Sequence, residues 1–232
     1  MQQRRSQQRR SCGPDRRTFL AAVCGWPLLF LAASAAADDA WKILEGESEI
    51  RVLAFRTGTL ARLGHNHVVT TSDVSGTIVL GDTAAASRFE FSIPVESFVV
   101  DDPEARAEEG EVFAGSMSAD QREDTRRNML GAELLDAAAH PGIRVASRRI
   151  AGEFPEVVIV AAITVKGVER EVELPAFVTL QDGRLTASGT AELSHEALGL
   201  SPFSAAFGAV RVSDLLRFRY RLVAIAPEQR VP

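Results

Sequence analysis

The segment from Ser87 to Val95 reads Ser-Arg-Phe-Glu-Phe-Ser-Ile-Pro-Val and carries the clearest pattern in the chain. From Arg88 onward, apolar residues alternate with polar residues and Pro94. Because successive side chains of a β-strand point to opposite faces, this alternation predicts an antiparallel strand with one buried and one solvated face. Pro94 has no backbone N–H group to donate, so we place it near the end of the strand or at a sheet edge.

Short segments of the same kind occupy most of the chain on both sides of this strand. Asp182-Gly183, between two of them, is a strong signal for a tight hairpin turn. Many short antiparallel strands separated by turns indicate a barrel or a strongly curved sheet, and an eight-stranded barrel can enclose one small ligand. The further predicted strands are 41–44, 50–55, 65–71, 77–80, 143–150, 157–165, 171–180, 185–193 and 210–225.

One helix is predicted, over Arg122–Ala139, with Met129, Leu130, Leu134 and Leu135 at helical spacing. Its apolar stripe would cover an open side of the sheet. The acidic segment 101–121, which directly precedes this helix, is interpreted as a solvated loop, since its carboxylates lack the spacing of a calcium-binding loop.

The N-terminus, residues 1–37, is typical of an export signal. It combines an arginine-rich start, a short apolar run and small residues before Asp38. Arg16-Arg17 before Thr-Phe-Leu favours a twin-arginine signal, and an ordinary secretory signal is the alternative. Because Gly25 and Pro27 interrupt the apolar run, a membrane-spanning anchor is not expected. The mature protein is therefore predicted to be periplasmic.

The domain following the signal is predicted to span 38–226, with a short tail at 227–232. Both cysteines, Cys12 and Cys24, lie in the signal, which excludes disulfides and thiol chemistry from the mature chain. Removal of 1–37 takes away six arginines and one aspartate and changes the formal net charge from −5 to −10. This acidic balance argues against nucleic-acid binding and against polybasic attachment to anionic lipids.

The candidate site centres on the segment Arg62–Val69, which reads Arg-Leu-Gly-His-Asn-His-Val-Val. His65 and His67 are two residues apart, so in an extended strand both imidazoles would point the same way. Three roles are open: hydrogen bonds to a ligand head group, a metal site completed by His140, His195 or a carboxylate, or a structural role at a bend. His140 is interpreted first as a cap at the helix end, and His195 first as part of a loop.

An apolar lumen is expected beside these histidines. The segment Phe203–Gly208 is either a cover for the barrel mouth or an ordinary turn. Arginines alternate along the last strand at 217, 219 and 221 and are interpreted as an exposed wall. The residues expected to contact a ligand, besides His65 and His67, are Phe89, Phe91, Ile93, Phe203, Phe207, Leu216, Phe218 and Tyr220.

Two classes of function compete, a ligand-binding carrier and a hydrolase or metal-dependent enzyme. The mature chain lacks cysteine, a Gly-x-Ser-x-Gly elbow and a His-Glu-x-x-His helix. The adjacent pair Ser194-His195 does not define a catalytic triad, because a triad is recognised by geometry. We therefore favour a carrier that does no chemistry on its ligand, with His65, His67 and His195 as the alternative metal ligands.

A set of short motifs follows in order across residues 40–226. The motif residues are Trp41, Ser48, Gly58, Gly64, Gly76, Arg127 to Leu130, Leu135-Asp136, His140-Pro141, Ser147, Ile163 to Val168 and Leu198 to Leu200. In this order they resemble the YceI-like family of bacterial periplasmic proteins. Two segments depart from the commoner pattern of that family, Gly64-His-Asn-His67 and Ser201–Gly208, so the chain resembles a His-containing branch of it.

The resemblance implies an all-β fold, an extended antiparallel lipocalin-like barrel of about eight strands with one α-helix. It also implies an apolar tunnel that binds a polyisoprenoid chain, such as an isoprenoid quinone or a prenyl phosphate. No cofactor beyond this ligand is expected. The expected partner is a lipophilic small molecule, a homodimer is an open alternative, and neither nucleic acid nor stable membrane insertion is expected.

Overall fold

The computed structural model describes residues 40–227, so the predicted export signal and residues 228–232 of the tail lie outside the described residues. Two α-helices, α1 Pro103–Glu108 and α2 Ala119–Leu130, interrupt a sequence of short strands. The strands are β1 Ala40–Ile43, β2 Glu49–Thr57, β3 His67–Thr71, β4 Ser75–Val79, β5 Arg88–Pro94, β6 Val99–Val100, β7 Gly142–Glu153, β8 Glu156–Val165, β9 Val168–Gln181, β10 Arg184–Ser194, β11 Ser204–Ala205 and β12 Val210–Ile225.

Eight of these strands close into an antiparallel barrel. The hydrogen-bonded order is β1, β4, β5, β7, β8, β9, β10 and β12, and β12 returns to β1 through the pairs Lys42 with Ile225 and Ile43 with Ala224. β2 continues the wall after β1 along the same edge of β12, and β3 pairs with β2 and β6. The predicted all-β barrel is confirmed.

The alternation quoted above places side chains on the two faces of the wall. Phe91 and Ile93 of β5 are buried, whereas Arg88 and Glu90 are exposed. Pro94 is the last residue of β5, as its missing N–H group requires. The arginines of β12 at 217, 219 and 221 are exposed, as predicted for an outer wall. The residues of β12 that line the lumen are Val212, Leu216, Phe218, Tyr220 and Leu222.

The predicted helix is real but shorter, because α2 ends at Leu130 and not at Ala139. Ser118 and Gln121 form a reciprocal capping box that starts α2 before the predicted Arg122. Leu134 and Leu135 follow α2 in turns and still line the lumen. The spacing of Leu134 and Leu135 predicted a longer helix, because the turns that follow Gly131 bring both side chains to the lumen beside Met129.

Most residues of segment 101–121 are exposed, as expected of a solvated loop, but the interpretation was wrong for its buried positions and for α1. Asp101, Arg106 and Phe113 are at most 6% exposed, and α1 begins at Pro103 with Asp102 as its N-cap. This segment covers the outside of the barrel, where Ala105 and Phe113 belong to a second hydrophobic cluster with Leu53 and Val68. The acidic side chains have partners as well: the buried Arg51 of β2 bonds Glu109 at 2.7 Å and Glu108 at 2.8 Å, and also Glu49.

The two ends of the barrel differ in construction. At the end called here the turn end, tight hairpin turns join β7 to β8 and β9 to β10, and Asp182 and Gly183 both adopt positive φ as the predicted turn requires. At the opposite end, called the helix end, α2 packs against β6, and the segment after α2 accepts a hydrogen bond from Lys166 of the β8–β9 turn at the Ala132 carbonyl. Neither α1 nor α2 has the length and apolar composition that a membrane-crossing helix needs.

Candidate ligand-binding cavity

A cavity of about 340 Å³ runs along the barrel axis. Its lining reaches from Leu80 and Phe154 at the turn end to Asn128 and Phe203 at the helix end, and β2, β5, β7, β8, β9, β10 and β12 all contribute apolar side chains. A cavity of this size and chemistry is typical of sites that bury an apolar small molecule. The lining is continuous because each strand turns every second side chain inward.

Most of the ligand contacts expected from the sequence line this cavity. Phe89 and Phe91 stack with ring centroids 5.7 Å apart, a spacing typical of favourable aromatic pairs. Two expected residues do not belong to the lining: His65 is exposed, and Phe207 projects from the surface with its side chain fully exposed. The expected residues that line the cavity are His67, Phe89, Phe91, Ile93, Phe203, Leu216, Phe218 and Tyr220.

His67 is oriented by a buried carboxylate that the sequence analysis did not identify. Its Nδ1 atom lies 2.6 Å from Oδ2 of Asp101, whose side chain is fully buried. The other carboxylate oxygen of Asp101 accepts hydrogen bonds from the Val68 backbone N–H at 2.9 Å and from Nη1 of Arg106 at 2.5 Å. This His67–Asp101–Arg106 group links the lumen to the outer segment that carries α1.

The charge of Asp101 is stabilised by these contacts. Burial alone would raise the pKa of Asp101, but the hydrogen bonds and charge of His67, with those from Val68 and Arg106, hold it below its usual value. Arg106 also donates to the backbone carbonyls of Asn66 and Phe113, at 2.7 Å each. Its buried Nε atom has no hydrogen-bond partner among the described residues. The guanidinium therefore fastens the α1 segment to the strand that carries His67.

The sequence contained two signals for this group. Asp102-Pro103 is a typical helix start, with an N-cap residue followed by proline at the first position. The second signal was Arg106, an arginine within a strongly acidic segment, which indicates an ion pair with a carboxylate. No local pattern brings Asp101 to His67, because 34 residues separate them in the chain.

His195 lies at the same end of the cavity and is 4% exposed. Its ring Nδ1 is 2.8 Å from the backbone carbonyl of Asp214, and its backbone N–H donates to the same oxygen at 2.9 Å. A carbonyl oxygen only accepts, so Nδ1 carries the proton. In the neutral ring Nε2 is then a hydrogen-bond acceptor.

The other two histidines lie apart from this site. The His65 ring is 6.5 Å from that of His67, centroid to centroid, but is exposed. The prediction that His140 caps α2 was wrong, because α2 ends ten residues earlier. The His140 ring packs against Gly167 in the β8–β9 turn. Within residues 40–227 no group of three or more His, Cys, Asp or Glu side chains is arranged to hold a metal ion.

Tyr220 bridges a split in the barrel wall. β9 and β10 pair only from Phe177 with Ser188 to Gln181 with Arg184, and they separate toward the helix end. Beyond the last β9–β10 pair, the Tyr220 hydroxyl donates to the carbonyl of Pro175. Gly189 leaves room for this contact, since a Cβ at Gly189 would clash with the Pro175 carbonyl oxygen and with the Tyr220 hydroxyl. Burial raises the pKa of Tyr220 to about 12, so the hydroxyl stays protonated as a donor.

Comparisons with known proteins agree with this architecture. No curated protein matches the chain. Among solved structures, BcnA of Burkholderia cenocepacia is 16% identical with a TM-score of 0.56, over 78% of this chain and 99% of that one. The YceI protein of Campylobacter jejuni is 10% identical with a TM-score of 0.51, over 68% of this chain and 83% of that one. At such identities the likeness shows a shared fold.

The family follows from the sequence match. A family model described as the YceI-like domain matches residues 41–224, which is nearly all of the described barrel. The His-containing branch remains a prediction. The chain belongs to the YceI-like family.

Proposed function

We propose that this protein binds an isoprenoid lipid, such as a quinone or prenyl chain, inside its barrel in the periplasm and carries it without chemical change. The observation that carries the proposal is the continuous apolar lining of a closed barrel from Leu80 to Phe203. A long apolar chain gains about 0.8 kcal/mol for each CH₂ group that it buries, so a cavity along the whole axis favours an extended ligand. The export signal predicted over residues 1–37 supports the periplasmic location.

The polar end of the ligand is assigned to the helix end of the cavity. Three polar groups of the lining there have no hydrogen-bond partner among the described residues: Nε2 of His67, Nε2 of His195 and the Asn128 amide. The polar lining elsewhere is already bonded, since Ser87 bonds Thr83 and Gly81.

The histidine tautomers constrain the head group. Nδ1–H of His67 is held by the Asp101 carboxylate and Nδ1–H of His195 by a backbone carbonyl, so in neutral rings both Nε2 atoms accept. A head group with a hydroxyl donor fits this pair directly. The Asn128 amide can donate to a ligand carbonyl or ether as well.

The metal alternative is not favoured. The exposed His65 lies outside the cavity, and the described residues contain no cluster of three candidate ligands. A cavity that is apolar over most of its length also offers few groups to hold a charged ion.

Native mass spectrometry of protein purified from the periplasm tests the proposal. We expect a bound mass that extracts into organic solvent and is absent from Phe218→Glu and from Ala54→Trp. The first puts a charge into the lumen, and the second fills the lumen without a charge. Phe177→Glu is the matched control, since Phe177 is exposed on the outer wall of β9.

The outcomes separate the candidate functions. Retention of the same ligand by folded Ala54→Trp protein would contradict the lumen as its site. A bound metal ion that is lost on chelation and in His67→Ala, with no organic ligand, would replace the carrier by the metal alternative. His65→Ala is the control for His67→Ala, because His65 lies outside the cavity.

A further inference from the structure

Two loops at the helix end form one exposed projection. We call Leu60–Gly64 and Phe203–Arg211 the tip. The backbone N–H of Leu60 donates to the carbonyl of Ala209 at 2.9 Å, and that of Val212 donates to Phe203 at 3.0 Å. β11 pairs with the start of β12 through Ser204 and Arg211. The tip is therefore held together by backbone hydrogen bonds.

The most exposed large apolar side chains of the tip point away from the barrel. Phe207 is fully exposed and Leu63 is 64% exposed. Phe207 has positive φ and is followed by Gly208, also at positive φ, so the backbone turns sharply beneath the ring. A bulky aromatic residue is unusual in this conformation, and no packing within the described chain compensates for it. Exposed apolar groups gathered in this way mark a surface that contacts something apolar.

The charges around these side chains identify the class of partner. Arg56, Arg62 and Arg211 are exposed on or beside the tip, and within residues 40–227 none of them forms an ion pair. The Arg56 guanidinium donates to the backbone carbonyl of Gly64 at 2.8 Å. The net acidic composition of the mature chain had argued against attachment to anionic lipids, but net charge averages over the surface and conceals this local basic group.

Exposed apolar residues at the turn end differ from those of the tip in the charges beside them. Exposed apolar residues occur there too, but Phe177 pairs across the sheet with Glu156, and Leu180 lies two residues before Asp182. An anionic surface would repel that region. At the tip, exposed apolar side chains lie together with arginines that form no ion pair within residues 40–227, the composition of groups that enter the interface of an anionic bilayer.

We propose that the tip docks the barrel reversibly on the surface of an anionic lipid bilayer. Phe207 and Leu63 enter the headgroup region, and Arg62 and Arg211 contact lipid phosphates. Phe203 both lines the cavity and is 40% exposed, so a docked tip sets the helix end of the cavity against the membrane. The docking itself does not depend on which ligand the cavity holds.

Vesicle flotation tests this with protein purified from the periplasm. The vesicles contain phosphatidylethanolamine with phosphatidylglycerol, or phosphatidylcholine alone. We expect flotation with the anionic vesicles, reduced about tenfold or more in Leu63→Ser/Phe207→Ser. Arg62→Gln/Arg211→Gln should lose the preference for anionic vesicles, and added salt should weaken binding of the parent protein. Phe177→Ser/Leu180→Ser is the matched control and should float like the parent.

Three results would overturn the proposal: no flotation of the parent protein, equal flotation of the tip variants, or a dimer that Leu63→Ser/Phe207→Ser converts to monomer without any lipid effect. The last would assign the tip to a second copy of the chain. Ligand content is measured on the same samples. Tip variants that keep their ligand but do not float leave the carrier proposal intact, and an empty protein that floats supports docking alone.

Discussion

The helix end and the turn end close the same barrel by different means. At the turn end, short hairpins such as the Asp182-Gly183 turn hold the strands, and the lining there is apolar apart from Ser87, which is already bonded. At the helix end the β8–β9 turn is equally tight, with Lys166 and Gly167 at positive φ, but longer loops also surround a buried ion pair between Asp101 and Arg106. The lining there has polar groups without partners among the described residues. The helix end thus adds long-range contacts to the local turn rules that both ends share.

This difference indicates where stability and function lie. A hairpin turn is satisfied by its own residues, so it needs nothing from a ligand. The His67–Asp101–Arg106 group instead holds a ring toward the lumen and depends on chain segments far apart in sequence. A site that must position a polar group against a ligand requires such support.

Two aspartates with the same backbone conformation give the largest contrast. Asp101 and Asp182 have φ of 55° and 50°. We expect Asp101→Ala to lower the free energy of unfolding by about 3–5 kcal/mol, because it leaves the buried Arg106 charge without its partner. Asp182→Ala should cost only about 1 kcal/mol, since it changes little beyond the left-handed turn residue. Urea unfolding of both variants measures the difference.

Asp101→Asn separates charge from shape in this comparison. Asparagine tolerates positive φ and keeps the size of the side chain, but its NH₂ group replaces one of the two acceptor oxygens. A loss of stability therefore reports the missing charge together with one lost hydrogen-bond acceptor. Equal destabilisation by Asp101→Ala and Asp182→Ala would show that the ion pair contributes nothing beyond the turn conformation.

Acid should weaken the helix end first. The pKa of Asp101 is lowered in the folded protein, chiefly by His67 once the opposing effect of burial is overcome. Its contribution is therefore fully present above the unfolded-state pKa of about 3.9 and is lost as the pH falls through the lower folded-state pKa. Hydrogen exchange of the α1 segment against that of the β9–β10 hairpin, followed below about pH 4, measures this. Equal loss of protection in both regions would contradict it.

Asn128 and Ser87 should show opposite effects on binding and stability. Asn128 lines the helix end without an internal partner, so Asn128→Ala should weaken binding of the extracted ligand by about 1 kcal/mol, roughly fivefold, and leave unfolding unchanged. Ser87→Ala removes two internal hydrogen bonds and should lower stability by about 1 kcal/mol with unchanged affinity. Titration calorimetry and thermal unfolding measure both, and weaker binding in Ser87→Ala would place the head group at the turn end.

The sequence was sufficient for the regular wall and the turn end. Strict alternation in β5 and β12 fixed which side chains face inward, and the Asp182-Gly183 pair fixed a hairpin, because both are local properties of a few residues. The prediction that the arginines of β12 form an exposed wall is confirmed, because it too rested on local alternation. These features need no knowledge of distant segments.

The helix end was predicted only in part, since its structure depends on non-local pairing. His67 was recognised as a candidate, but the burial of Asp101 and Arg106 was missed because acidic composition was read as exposure. His65 and His67 were expected to act together, yet β3 begins at His67, so the strand periodicity that would align them does not reach His65. A pattern two residues long cannot show where a strand starts.

The smallest expected effect concerns Tyr220, at the point where the two kinds of construction meet. Tyr220 is the only tyrosine in the chain, so the ultraviolet absorbance of tyrosinate reports this group alone. We expect it to titrate near 12 in the folded protein, above the usual value of about 10, because burial disfavours the phenolate. Tyr220→Phe should cost about 1 kcal/mol, since the carbonyl of Pro175 loses its donor where β9 and β10 separate. If hydrogen exchange in that variant rises along residues 189–194 while the β9–β10 hairpin stays protected, the Tyr220 hydroxyl stabilises the wall where β9–β10 pairing ends. Unchanged exchange in the variant, with titration of Tyr220 near 10 in the parent protein, would contradict this role.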